Sequence, residues 1–190
     1  MMCSCNRADD KKSDWHEIRF GKFTGKEMLL SEMAKDVRYV ALEKHEEQLI
    51  GRIDKAIFEK DRIFLLDSKG SKSVHIYDHY GKPINSISKR GRGPGEFIVP
   101  RDITFDSSTD ELVIYCSSQK KLLFYSPDGN FIRENNINLW FERFEALNNG
   151  NFIAFTNKKY NALSGRSGLN YDLIRFEDTG EILDTYLANE

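Results

Sequence analysis

His75 and His79 stand four residues apart in HIYDH, and Asp54, Asp102 and Glu145 each fall in the leading strand of a similar segment. Gly91, Gly93 and Gly95 crowd into SKRGRGPGEFIVPRD, Ser88 to Asp102. Two histidines at i and i+4 converge on a metal when they share a helix face. Here the first falls in a strand-like run and the second in a turn, so no metal is expected. His16 and His45 stand alone, and Ser164-Gly165 lacks the strand, turn and helix that a nucleophile elbow needs. The glycine stretch fails as a phosphate loop, since no Lys-Ser or Lys-Thr follows it. It fails as a dinucleotide fingerprint because Glu96 stands at the third glycine position, and it leads into a strand instead of a helix. No cofactor is expected.

The stretch reads instead as a corner between two sheets. Its glycines permit positive φ, Pro94 and Pro100 stop the flanking strands, and Phe97 can plug a gap between sheets.

The chain has 190 residues, with 28 Lys and Arg against 30 Asp and Glu. Charge so nearly balanced gives no global field for nucleic acid or anionic lipid. With 39% hydrophobic residues the sequence can bury a core. No run reaches the roughly 18–20 apolar residues of a membrane span. Cys116 lies in the apolar run ELVIYCS, far from Cys3 and Cys5, so no disulfide framework is expected. Residues 1–15, beginning MMCSCNRADDKKSD, read as a disordered tether with incidental thiols or as the remnant of a lipoprotein signal, with Cys3 or Cys5 as the lipidation site. The hydrophobic part of such a signal is incomplete here.

Three segments align at a period of about 50 residues. Gly81, Gly129 and Gly180 mark the same turn in each. Every unit reads as four short strands, among them RIFLLD, ELVIYCS and NFIAFT in second place. Four antiparallel strands per unit at this period is the pattern of a propeller blade. The expected fold is all-β: a partial β-propeller of about three blades, at residues 48–90, 91–140 and 141–190. Ile57, Ile103 and Phe144 are expected to share one blade position, and Leu65, Ile114 and Ala154 another. Residues 16–47 supply a short N-terminal helix, with Thr24 and Glu27 as a capping box or Ser31 as an alternative cap. VRYVALE, Val37 to Glu43, reads as a further, ring-closing strand.

The run GRGPGEFIVPRDITFD with SPDGNFI resembles an NHL repeat. Together with LSEMAKDVRYVALEKHEEQLIGRIDKAIFEKDRIFLLD it is similar to the six-bladed β-propeller lipoproteins of Bacteroidetes, over about Ile18 to Tyr186. The resemblance implies a cell-envelope protein, in the periplasm or on the outer membrane. It also implies that the three blades are the N-terminal half of a ring. Open blade faces, including Leu173 and Ile182, would then favour self-association.

Strand direction places the blade corners and the loops between second and third strands on one face, where binding usually sits. That face would collect Arg90, Arg92, Glu96, Arg101, Lys158, Lys159, Tyr160 and Arg166. The expected function is a non-catalytic binding or scaffold module for a peptide, protein or glycan, not nucleic acid. The alternative is a fragment of a lactonase-like or amidating-lyase-like enzyme, with Asp54, Asp102 and Glu145 facing a central channel.

Overall fold

The computed structural model describes Gly25 and residues 29–44, 49–157 and 170–189. The chain divides into two compact units, Met1–Tyr39 and Val40–Glu190. In the first, the described regular structure is one helical turn, α1 (Leu30–Met33). Ser31 lies inside that turn and does not cap it, while Thr24 and Glu27 lie outside the described residues.

The second unit holds three four-stranded antiparallel sheets, each in chain order. Blade 1 comprises β1 (Lys55–Glu59), β2 (Arg62–Asp67), β3 (Ser73–Asp78) and β4 (Pro83–Ile87). Blade 2 comprises β5 (Asp102–Asp106), β6 (Glu111–Cys116), β7 (Lys121–Tyr125) and β8 (Phe131–Asn136). Blade 3 comprises β9 (Arg143–Asn148), β10 (Asn151–Phe155), β11 (Asn170–Glu177) and β12 (Ile182–Asn189). This is the expected all-β partial propeller.

The turn between third and fourth strands repeats at atomic detail. Gly81, Gly129 and Gly180 have φ of 92°, 84° and 87°, and each donates its N–H to the carbonyl three residues back. A side chain there would meet steric strain, which is why glycine recurs at that spacing.

Blade 2 is sandwiched, so both of its faces are apolar. Ile103, Ile114 and Leu123 join Phe64, Leu66, Val74 and Ile76 in a core between blades 1 and 2. Val113, Tyr115, Leu122 and Phe124 join Phe144, Phe152, Ile174 and Phe176 between blades 2 and 3. The unbroken apolar runs of β6 and β7 follow from this double burial.

Four expectations need correction. Ile57 pairs with Phe64, whereas Ile103 pairs with Ile114 and Phe144 with Ala154. Ala56, opposite Leu65, is therefore the true equivalent of Ile103 and Phe144, and Ile57 turns to the other face, into the core with blade 2. VRYVALE forms no strand: within the second unit Val40 packs on Ile63, Leu65 and Tyr77, and the Glu43 N–H bonds to the Gly81 carbonyl. Ile182 packs toward blade 2, because a bulge at Arg175/Phe176 shifts its register. Gly95 alone of the three corner glycines has positive φ; Gly91 and Gly93 instead leave room for the Glu96 carboxylate.

Candidate ligand-binding face and axial charge cluster

Antiparallel order puts the β2–β3 loop, the β6–β7 loop and the blade corners at one end of the sheets. Hydrogen bonds tie these loops together. The Arg90 guanidinium donates to the Ser71 carbonyl at 2.8 Å, joining the first corner to the β2–β3 loop. Gln119, from the β6–β7 loop, accepts the Ile98 N–H at 2.9 Å and donates to the Gly91 carbonyl at 3.2 Å. Beneath them Phe97 is fully buried between blades 1 and 2, as its place in the corner suggested.

The corner is braced from inside. The buried Tyr125 hydroxyl donates to the Gly95 carbonyl at 2.8 Å, and the Gly95 N–H donates to Glu134 at 3.0 Å. Burial pushes the Tyr125 phenol above its ordinary range, so it stays a donor. Glu96 accepts the Gly93 N–H at 2.9 Å.

The expected face residues thus divide. Arg92 is exposed and has no polar partner among the described residues, and Arg90 is exposed but tethered to Ser71. Glu96 is turned into its own loop, and Arg101 pairs with Glu142. Lys158, Lys159, Tyr160 and Arg166 lie outside the described residues, as do Cys3 and Cys5.

The innermost strands β1, β5 and β9 bring Asp102 and Glu145 together but leave Asp54 apart. The Asp54 carboxylate is held by Ser68 and Arg52. Asp102 is fully buried and accepts the Phe144 N–H at 2.8 Å, with Arg143 at 3.2 Å and Lys55 at 3.6 Å. Lys55 also reaches Glu145 at 2.5 Å, and Glu145 accepts from the Thr104 hydroxyl at 3.0 Å. Burial raises the Asp102 pKa, outweighing Lys55, the Phe144 N–H and Arg143. Lys55 and Arg143 were not singled out from the sequence. The signal was there: Lys55, Asp102 and Arg143 hold the same place in DKAIFE, RDITFD and ERFEAL, with alternating sign.

A second polar hub also escaped the sequence reading. Asp67, fully buried at the end of β2, accepts N–H groups of Gly51, Arg52, Gly70 and Ser71. Ser71 and Ser73 join it to Nε2 of the buried His75. Burial alone would raise the Asp67 pKa, but these four N–H groups hold it well below the usual carboxylate range. Among the described residues no group of three or more His, Cys, Asp or Glu is placed to hold a metal.

A family model described as a domain of unknown function, DUF4934, matches residues 18–190. The chain belongs to this family. Two solved structures place the DUF4934 fold among larger relatives. One, a Bacteroides fragilis protein described as exported, superposes with a TM-score of 0.69 at 18% identity, covering 82% of this chain and 43% of its own. A DUF4221 family member from Bacteroides vulgatus superposes with a TM-score of 0.57 at 12% identity, covering 80% and 49%. This chain therefore spans less than half the length of either relative. A search of curated proteins returns no match. At these identities the likeness shows the fold alone.

Proposed function

We propose that this DUF4934 chain is a non-catalytic binding or scaffold module of an exported β-propeller, holding its ligand across the loop face. Cys3 or Cys5 would carry a lipid anchor at the cell envelope. The observation that supports the reading best is the bracing of the corner at Ser88 to Asp102. Tyr125, Gln119, Glu134 and Glu96 fix its backbone from within and leave Arg92 exposed. A pre-ordered loop spares a ligand the entropy of ordering it. The exported description of the Bacteroides fragilis relative agrees with an envelope location.

The central-channel enzyme reading draws on Asp102 and Glu145. It needs a carboxylate free to exchange a proton with substrate, and these two are committed to Lys55, Arg143, Thr104 and the Phe144 N–H. The binding reading is tested by screening the full chain against peptide and glycan arrays, then repeating the hits with variants. Arg92→Ala should weaken binding and Lys82→Ala, in the opposite turn, should not. Loss confined to Lys82→Ala would overturn the loop-face assignment.

A further inference from the structure

Sequence charge is balanced overall, yet on the loop face the two signs are treated differently. The β2–β3 loop and the first corner carry Lys69, Lys72, Lys89, Arg90 and Arg92. Over residues 67–72 and 88–99 the only carboxylates are Asp67 and Glu96. Asp67 is fully buried and spent on four backbone N–H groups and Ser71. Glu96 is folded onto the Gly93 N–H. Nearby Asp54 is held by Ser68 and Arg52. The bases are treated in the opposite way: Lys69, Lys89, Arg90 and Arg92 are all exposed, and the Arg90 bond to Ser71 draws the two loops side by side. Acids inward and bases outward leave a local positive rim on a nearly neutral chain.

We infer that this rim docks an acidic polysaccharide, a sugar chain carrying carboxylate or sulfate groups. The inference rests on the loop-face reading above and names its ligand class. Charge complementarity selects a polyanion, and the side chains of the two loops themselves narrow the class. Across these two loops Ile98 is the one large apolar side chain exposed. Neither loop exposes an aromatic side chain to stack a nucleobase, nor a cluster of apolar side chains to anchor a protein partner. A hydrophilic polyanion needs neither, and is held by spaced cations on a fixed backbone.

The test uses the full chain and immobilised polygalacturonate, dextran sulfate and neutral dextran, with poly-L-glutamate and single-stranded DNA as competing polyanions. Binding to polygalacturonate or dextran sulfate, but not neutral dextran, is expected, and should weaken by about tenfold or more between low and physiological salt. The arm that binds distinguishes carboxylate from sulfate. The double variant Lys89→Glu/Arg92→Glu should lose at least about tenfold, since each removed cation also removes its share of the salt dependence. Lys60→Glu/Lys82→Glu, on the opposite turns, should stay within about twofold. No binding to either acidic polysaccharide, or stronger binding to poly-L-glutamate or DNA, overturns the ligand class. Polysaccharide binding lost only in the Lys60/Lys82 variant overturns the loop-face reading itself. A neutral ligand lost on Arg92→Ala would keep the face and overturn the polyanion.

Discussion

Asp102 and Arg143 occupy the same register position on the innermost strands of adjacent blades, and the Arg143 guanidinium donates to the Asp102 carboxylate at 3.2 Å. Lys55 holds that position one blade earlier, so the charges run positive, negative, positive across the three blades. The buried carboxylate is the element that the two cations share. Asp102→Ala should therefore cost about 1–3 kcal/mol, because it leaves the Phe144 N–H without its acceptor and takes one of their partners from Lys55 and Arg143. Urea unfolding measures the loss. A cost below about 1 kcal/mol would mean that solvent already screens the cluster.

Acid should destabilise the protein through Asp67 and oppositely placed partners should only partly offset it. The Asp67 pKa is lowered on folding, so its contribution is complete above the unfolded value of about 3.9 and is lost as pH falls toward the folded value. Asp54 and Asp106 are lowered too and act in the same direction. Asp102 is raised, so its titration favours the fold at low pH and that contribution is lost as pH rises through its folded value. With more groups lowered than raised, the melting temperature should fall on acidification below about pH 4. Asp67→Asn should lower it at neutral pH and flatten the acid slope. Parallel slopes for variant and wild type would show that Asp67 does not carry this dependence.

The repeat, the glycine turns and the corner were legible because each rests on local chemistry. Positive φ at Gly81, Gly129 and Gly180 is a backbone demand that only a few residue types meet, and it prints a period into the sequence. The face of β1 was not legible by eye. A two-residue turn at Lys60-Asp61 joins β1 to β2, where Ser107 to Asp110 joins β5 to β6, and this difference hid the one-residue offset of Ile57. In the axial cluster the carboxylates were found and the cations missed, although both lay in the same aligned columns. The Asp67–His75 hub had no signature at all. Its donors come from Gly51, Arg52, Gly70 and Ser71, and backbone N–H groups carry no residue type.

Phe97 should behave as a core residue despite its place in a polar, glycine-rich loop. It is fully buried among Phe64, Ile103, Leu123 and their neighbours. Phe97→Ala should cost about 3–5 kcal/mol, a fall in melting temperature of about 10 °C for a domain of this size. Ile98→Ala, one residue on and half-exposed, should change stability by less than about 1 kcal/mol. Equal effects of the two in a thermal melt would remove Phe97 as the plug between blades.

The corner should be loosened locally by changes at Gly95 and Tyr125 even when the blades stay folded. Tyr125→Phe deletes the buried hydroxyl that donates to the Gly95 carbonyl and should cost about 1–3 kcal/mol. Gly95→Ala is worse placed: φ is 69°, and the new Cβ would lie 2.9 Å from the Phe131 ring. Strain in φ and the clash with Phe131 are separable, since Phe131→Ala in the same chain relieves the clash and leaves φ unchanged. The double variant should recover part of the loss and not all of it. Trypsin reports the loop directly, because Arg90 and Arg92 each precede a glycine within it. Cleavage after these arginines should accelerate in Tyr125→Phe and in Gly95→Ala well before global unfolding, which far-ultraviolet circular dichroism follows in parallel. If cleavage rises only with loss of the dichroism signal, the corner opens with the blades and is not braced separately by Tyr125.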